Sequence, residues 1–209
     1  MDYILFNDTS LIKGVNIPKS QVGFKKMCQI CSAAETLFDK KGFYETSIAD
    51  ICKFAKTAVG TFYIYFQDKT SIYTYLVRNY YVVINKHLNK HITGCKTRYE
   101  MEREGLRAFI RFGHTNPQCY KIIWGCSYIN PVLFEDYYIR FAKSYSAALK
   151  KFGIELIDAD YNVMAWFLIG VANFICLKVI LDHKKLTEKK LDAIIDDVMK
   201  IYKNGFFCG

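Results

Sequence analysis

Residues 42–69, GFYETSIADICKFAKTAVGTFYIYFQDK, constrain the fold more than any other stretch of this 209-residue chain. They read as two short helices joined by a tight turn, followed by aromatics and a lysine. That order is the layout of a helix-turn-helix, whose second helix enters the major groove of DNA.

The remainder of the chain predicts an all-α protein. Only three prolines interrupt it, at 18, 117 and 131, so long stretches are free to be helical. Strand signals, meaning period-two alternation between Gly/Asn turns, are scarce. Hydrophobic residues make up 52% and aromatics 16%, enough for a sizeable core and too much for disorder.

Pro18 and Ser20 mark the start of a first helix over 21–41, with Met27, Cys28, Cys31, Ala34 and Phe38 on its core face and Gly42 as its stop. Ser47 caps a second helix with Ile48, Ile51, Cys52 and Ala55 inward. A turn at 56–58 leads into a third helix, and Asp68 caps a fourth from Lys69 to about 93. Further helices are expected near 99–113, 118–126, 131–152, 159–183 and 187–206, about nine in all, with 95–98 a loop. The division expected is a tail or arm over 1–20, a three-helix head over 21–68 and a helical body over 69–209.

The formal charge of +9 makes an anionic partner plausible, but its excess lies beyond the reader: residues 71–150 hold 12 Lys/Arg against 5 Asp/Glu. The eight cysteines fall mostly at apolar helical positions, which reads as buried free thiols in a reducing cytoplasm and not as a disulfide framework or metal site. Residues 161–181, YNVMAWFLIGVANFICLKVIL, approach the length of a membrane span. Asn162, Asn173 and Lys178 within that run favour a buried protein interface, with no membrane partner.

Small residues at the start of the third helix allow close approach to base edges. Thr57, Ala58, Val59, Gly60 and Thr61 are the expected DNA-reading group, with Tyr63, Tyr65, Lys69, Thr46 and Ser47 on phosphates. The alternative for Phe62, Tyr63, Tyr65 and Phe66 is plain core, which is the reading preferred for Phe62 and Phe66.

Residues 30–72 resemble the DNA-binding head of the tetracycline-repressor-like (TetR/AcrR) family of bacterial regulators. The resemblance rests on ICSAAETLF (30–38), GFYETSI (42–48) and VGTFYIYFQDKTSI (59–72), in order and at the family spacing. Where that family has Gly-Val-Ser in the turn, this chain has Lys56-Thr57-Ala58. Lys56 must then adopt the dihedral the glycine allowed, and Thr57 is left to replace a capping hydroxyl that Ala58 lacks. Residues 120–145 are similar to the ligand-domain segment of many members.

The resemblance implies a homodimer on an inverted-repeat DNA operator, governed by a small hydrophobic ligand inside the body and needing no cofactor. Trp124, Tyr128, Phe134, Tyr137, Phe141, Tyr145, Phe167 and Phe174 are candidate ligand contacts, with Asn130, Asn173 and His114 as polar candidates; the alternative is core. Ala165 and Gly170 with Leu191, Ile194, Ile195, Val198 and Met199 are the expected dimer interface. The competing function is a non-enzymatic carrier of lipids or other hydrophobic small molecules. No phosphate loop, HExxH, Gly-x-Ser-x-Gly or acidic metal cluster marks an enzyme.

Overall fold

The computed structural model describes residues 12–182 and 185–205, and within these the chain is all-α, with nine α-helices and no strand. The helices are α1 (Gln21–Lys41), α2 (Ile48–Phe54), α3 (Val59–Tyr65), α4 (Lys69–Ile92), α5 (Arg98–Thr115), α6 (Pro117–Ile129), α7 (Pro131–Lys150), α8 (Tyr161–Leu181) and α9 (Glu188–Asn204). Part of the N-terminal segment, 1–11, lies outside the described residues.

The boundaries follow local chemistry. Ser20 accepts the Gly23 N–H to start α1, and Gly42 ends that helix at φ 83°. Ser47 and Asp50 form a reciprocal capping box at α2. Asp68 and Ser71 exchange the same kind of bonds at α4, and Thr187 accepts from Lys190 at α9. The segment expected as a loop at 95–98 hides one further start signal: Thr97 and Glu100 form a capping box, so α5 begins at Arg98.

The chain forms two compact units. One comprises residues up to Val83 with Gln118–Tyr137; the other comprises Ile84–Pro117 with residues from Tyr138 onward. The first takes in the expected head, 21–68, and adds the N-terminal half of α4, most of α6 and the start of α7.

In the first unit, α1, α2 and α3 pack on one another. Met27, Ile30, Cys31, Ile51, Phe62, Phe66, Ile72 and Leu76 are fully or almost fully buried. Glu35 of α1 is buried too, but paired: it accepts from the Tyr80 hydroxyl at 2.9 Å and from Gln118 at 3.3 Å. Tyr73 donates to the Ile122 carbonyl, and Lys121 bridges to Asp39 at 2.8 Å. These bonds fasten α6 onto α4 and α1.

In the second unit, α5 packs against α8 and α9. Buried Arg98 and half-buried Glu102 and Tyr145 form a satisfied group, with the Tyr145 hydroxyl and the Arg98 guanidinium both donating to Glu102. Burial, then the adjacent Glu102 carboxylate, raises the Tyr145 phenol well above its ordinary pKa. An ion-pair row on the outer face links α5 to α9 through Arg103–Asp196, Arg107–Asp192 and Arg111–Glu188.

The seven described cysteines are free thiols, five of them buried. Burial raises Cys126 and Cys176 to about 12, which leaves them inert small hydrophobes at neutral pH.

At Gly113 α5 comes close to α8: a Cβ there would lie 2.2 Å from the Cys176 Sγ. Gly113→Ala is therefore expected to destabilise the fold by about 1–3 kcal/mol. Adding Cys176→Ala should return much of that loss, as read by urea unfolding of the single and double variants.

Candidate DNA-reading surface

The turn between α2 and α3 shows how the chain manages without glycine. Lys56 sits at φ 49°, the one non-glycine residue with positive φ among those described. The Lys56 N–H bonds to the Lys53 carbonyl at 3.2 Å and the Thr57 N–H to the Cys52 carbonyl at 3.0 Å. This double closure satisfies the last carbonyls of α2 and fixes the angle at which α3 leaves. The strain expected at Lys56 is thus present. The hydroxyl cap expected from Thr57 is not: Ala58 is the N-cap of α3 and no side chain caps it.

On α3, Phe62 is fully buried and Tyr65 is 7% exposed, while Tyr63 is 55% exposed. The Phe62 ring packs 5.5 Å from Phe66, which lies 5.9 Å from Tyr75 of α4. That inward face holds the helix and turns its opposite face to solvent. Ala58, Val59, Gly60 and Tyr63 are exposed there, with Thr57 and Thr61 half-buried, and Ser47 at the start of α2 is exposed as well. Nothing lies within 4 Å of a Cβ built on Gly60. The small residues at the helix start therefore form an open surface that a groove wall could meet closely.

Three expected phosphate contacts are corrected by this geometry. Thr46 is 1% exposed, its hydroxyl donating back to the Gly42 carbonyl at 2.7 Å. Tyr65 faces the core, because only the i, i+3 and i+4 positions from Phe62 can face inward together. Lys69 directs its ammonium into the α1–α2 connector, donating to the carbonyls of Phe43 (2.6 Å), Tyr44 (3.3 Å) and Thr46 (2.7 Å). It also sits 4.4 Å over the Phe43 ring, and burial lowers its pKa. All three N–H bonds of the ammonium are spent. Two exposed residues were missed in the sequence: Tyr44 of the α1–α2 connector, 72% exposed, and Lys56 of the turn that leads into α3. The signal for both was present, in the connector motif and in the departure from Gly in the turn.

The ligand candidates divide between the two units, with Trp124, Tyr128, Phe134 and Tyr137 in the first and Phe141, Tyr145, Phe167 and Phe174 in the second. Tyr128 (85%), Phe174 (62%) and Phe167 (50%) are too exposed in the single chain to line an enclosed volume. Tyr137 is buried edge-on to Tyr81, and Tyr145 is engaged with Glu102. Among the polar candidates, Asn130 caps α7 through the Leu133 N–H, Asn173 donates to the Ile169 carbonyl of its own helix, and His114 is half-buried.

The expected dimer residues are also corrected. Ala165, Leu191, Ile195, Val198 and Met199 are 0–5% exposed within the second unit, so they are core. Ile194 and Gly170 are half-buried, and the space beyond Gly170 is open. Helix α8 does leave apolar surface uncovered: Val163, Trp166, Phe167, Phe174 and Leu181 are 43–64% exposed. This helix is long and apolar enough to cross a membrane, and 22% of its apolar window is buried.

Two stability changes follow. Lys56→Gly relieves the left-handed backbone and should stabilise the fold by about 1 kcal/mol, read as a higher urea midpoint. Lys69→Met strands three carbonyls and should cost about 2 kcal/mol. An unchanged midpoint for Lys69→Met would return this lysine to a solvent-facing role.

Residues 30–76 match the sequence profile described as "Bacterial regulatory proteins, tetR family". A helix-turn-helix transcriptional regulator from the lacX 3′ region of Lactococcus lactis, itself uncharacterised, is 31% identical over 105 residues. That match covers 50% of this chain and 52% of the relative, so the chain spans about half the length of that curated protein. Among solved structures, the fatty acid degradation regulator FadR from Bacillus halodurans is similar with a TM-score of 0.76 at 14% identity, covering 90% of this chain and 98% of that one. FadR from Bacillus subtilis, solved with stearoyl-CoA, is similar at 0.69 and 15% identity, covering 87% and 100%. These structural likenesses are likenesses of fold. The profile match identifies residues 30–76 as a TetR-family DNA-binding head, and the helix-turn-helix regulator relative and the shared fold make the chain as a whole similar to regulators of that family.

Proposed function

We propose that the chain is a cytoplasmic, dimeric DNA-binding transcriptional regulator, a repressor whose affinity for an inverted-repeat operator is set by a small hydrophobic ligand. The observation that carries this reading is the open start of α3. Small exposed residues, Ala58 to Gly60, stand on a helix whose other side is locked into the core, with the Tyr63 hydroxyl beside them. A helix so presented suits the major groove, where its N-terminal residues meet base edges and neighbouring hydroxyls meet phosphates. Thr57, Ala58, Val59, Gly60, Thr61, Tyr63 and Ser47 are the contacts we assign, joined by Tyr44 and Lys56.

Dimerisation is supported by the uncovered stripe of α8. Val163, Phe167, Gly170, Phe174 and Leu181 recur at helical spacing on one face, and a second copy of α8 would cover it. The ligand acts by binding one spacing of the two heads better than the other, since only differential affinity shifts such an equilibrium. An acyl compound is the first candidate, because the Bacillus subtilis FadR of similar fold was solved with stearoyl-CoA. The role is one of binding alone, without chemistry on the ligand.

Selection of duplexes from a random pool by the purified chain tests the reading. An inverted repeat should be enriched, its affinity falling steeply with salt as phosphate counterions are released. Tyr63→Phe should then weaken binding by a similar factor on every duplex. Failure to enrich any sequence, with and without long-chain acyl-CoA, would favour a carrier of hydrophobic molecules instead.

A further inference from the structure

We infer that residues 12–17 act as a strap that holds the recognition helix in its reading position, with Asn16 as the positioning residue. This rests on the DNA-reading function proposed above.

The argument begins with how little α3 has of its own. It is seven residues long, and no side chain caps its N-terminus. A helix this short is far below the length that holds by itself in water. At its C-terminal end the last carbonyls have no partner within the helix. The strap supplies partners for them. The Asn16 backbone N–H donates to the Tyr65 carbonyl at 2.8 Å, and its side-chain amide donates to the Ile64 carbonyl at 3.0 Å. One residue thus satisfies two consecutive carbonyls at the end of α3.

The strap is fixed on both sides of Asn16. Val15 pairs with Phe66 in an antiparallel bridge, and the Gln67 N–H donates to the Gly14 carbonyl at 2.8 Å. Ile12 is 2% exposed and plugs the segment into the core. Gly14 has φ +78°, and a Cβ there would stand 3.0–3.2 Å from Gln67 and Ser71. Ser71 is half of the cap that starts α4. The backbone therefore needs glycine at 14, both for its dihedral and for its approach.

Residues 12–17 fall within the segment expected to be a tail or arm, 1–20. In the structure their polar groups are committed to the far end of α3 from the reading residues. The consequence is mechanical. Fraying at 64–67 would let α3 pivot and blur the placement of residues 57–61, while charged contacts elsewhere stayed in place. Loss of the strap should thus erode sequence discrimination more than overall DNA affinity.

The test uses the full chain with Asn16→Ala and, separately, Gly14→Ala. The probes are the duplex that the unaltered chain selects from a random pool and a scrambled duplex of equal length. Both variants should lose discrimination between the two duplexes by roughly tenfold, the worth of one or two hydrogen bonds. The salt slope should stay unchanged, because no phosphate contact is removed. Amide exchange at Phe66 and Gln67 should quicken in both. Quickened exchange with unchanged discrimination would overturn the positioning role and leave a structural one. Unchanged exchange would overturn the strap itself. An unaltered chain that enriches no duplex would overturn the reading on which the inference stands, whereas discrimination retained by the variants overturns the inference alone.

Discussion

The Lys69 ammonium organises the head of this protein. It gathers three carbonyls of the α1–α2 connector, those of Phe43, Tyr44 and Thr46, and rests on the Phe43 ring. The connector has no regular structure to satisfy those oxygens, so a single cation at the start of α4 does so. This bond set joins the end of α1, the start of α2 and the start of α4 at one point. Ser47 can then cap α2 where it does, and the turn at Lys56 sends α3 off at a fixed angle. Phe62 and Phe66 lock the inward side of α3, and what remains outward is the set of small residues proposed to read DNA. A phosphate would have competed for the same three N–H bonds.

The first compact unit is larger than the three-helix head, and its polar bonds explain why. Glu35 is buried and would be costly alone, but Tyr80 of α4 and Gln118 of α6 hydrogen-bond to it. Tyr73 bonds the backbone of α6, and Arg78 of α4 pairs with Asp136 of α7. Within this unit the reader is continuous with α6, so a change in α6 would be felt in the packing of α1 and α4. Such a connection is what the proposed control by a ligand would require, since coupling needs a shared element with two arrangements.

Much of this was legible in the sequence where a local rule decides the outcome. Ser20, Ser47 and Asp68 announced helix starts, and Gly42 announced a stop. The replacement of glycine by lysine at 56 announced a left-handed residue, which the structure contains. Legibility failed where the outcome depends on which neighbour arrives. Periodicity showed that α9 carries an apolar face with Leu191, Ile195, Val198 and Met199. It could not show that the face is covered by the chain's own second unit and not by another copy. Conversely, α8 read as apolar nearly all round, and only the fold reveals the side left open. Lys69, Thr46 and Tyr65 were misassigned for one reason: a donor in a reader motif looks the same whether it meets a phosphate or a backbone carbonyl. The strap was invisible because residues 12–17 carry no periodicity, and their role is in long-range backbone bonds.

The account stands on α3 presenting its start to DNA. Hydrogen exchange of the chain, free and bound to its selected duplex, tests that most directly. Protection concentrated at residues 57–63, with smaller effects at 44–47, is the predicted result. Protection falling on α8 or α9 while 57–63 exchange as in the free chain would contradict it.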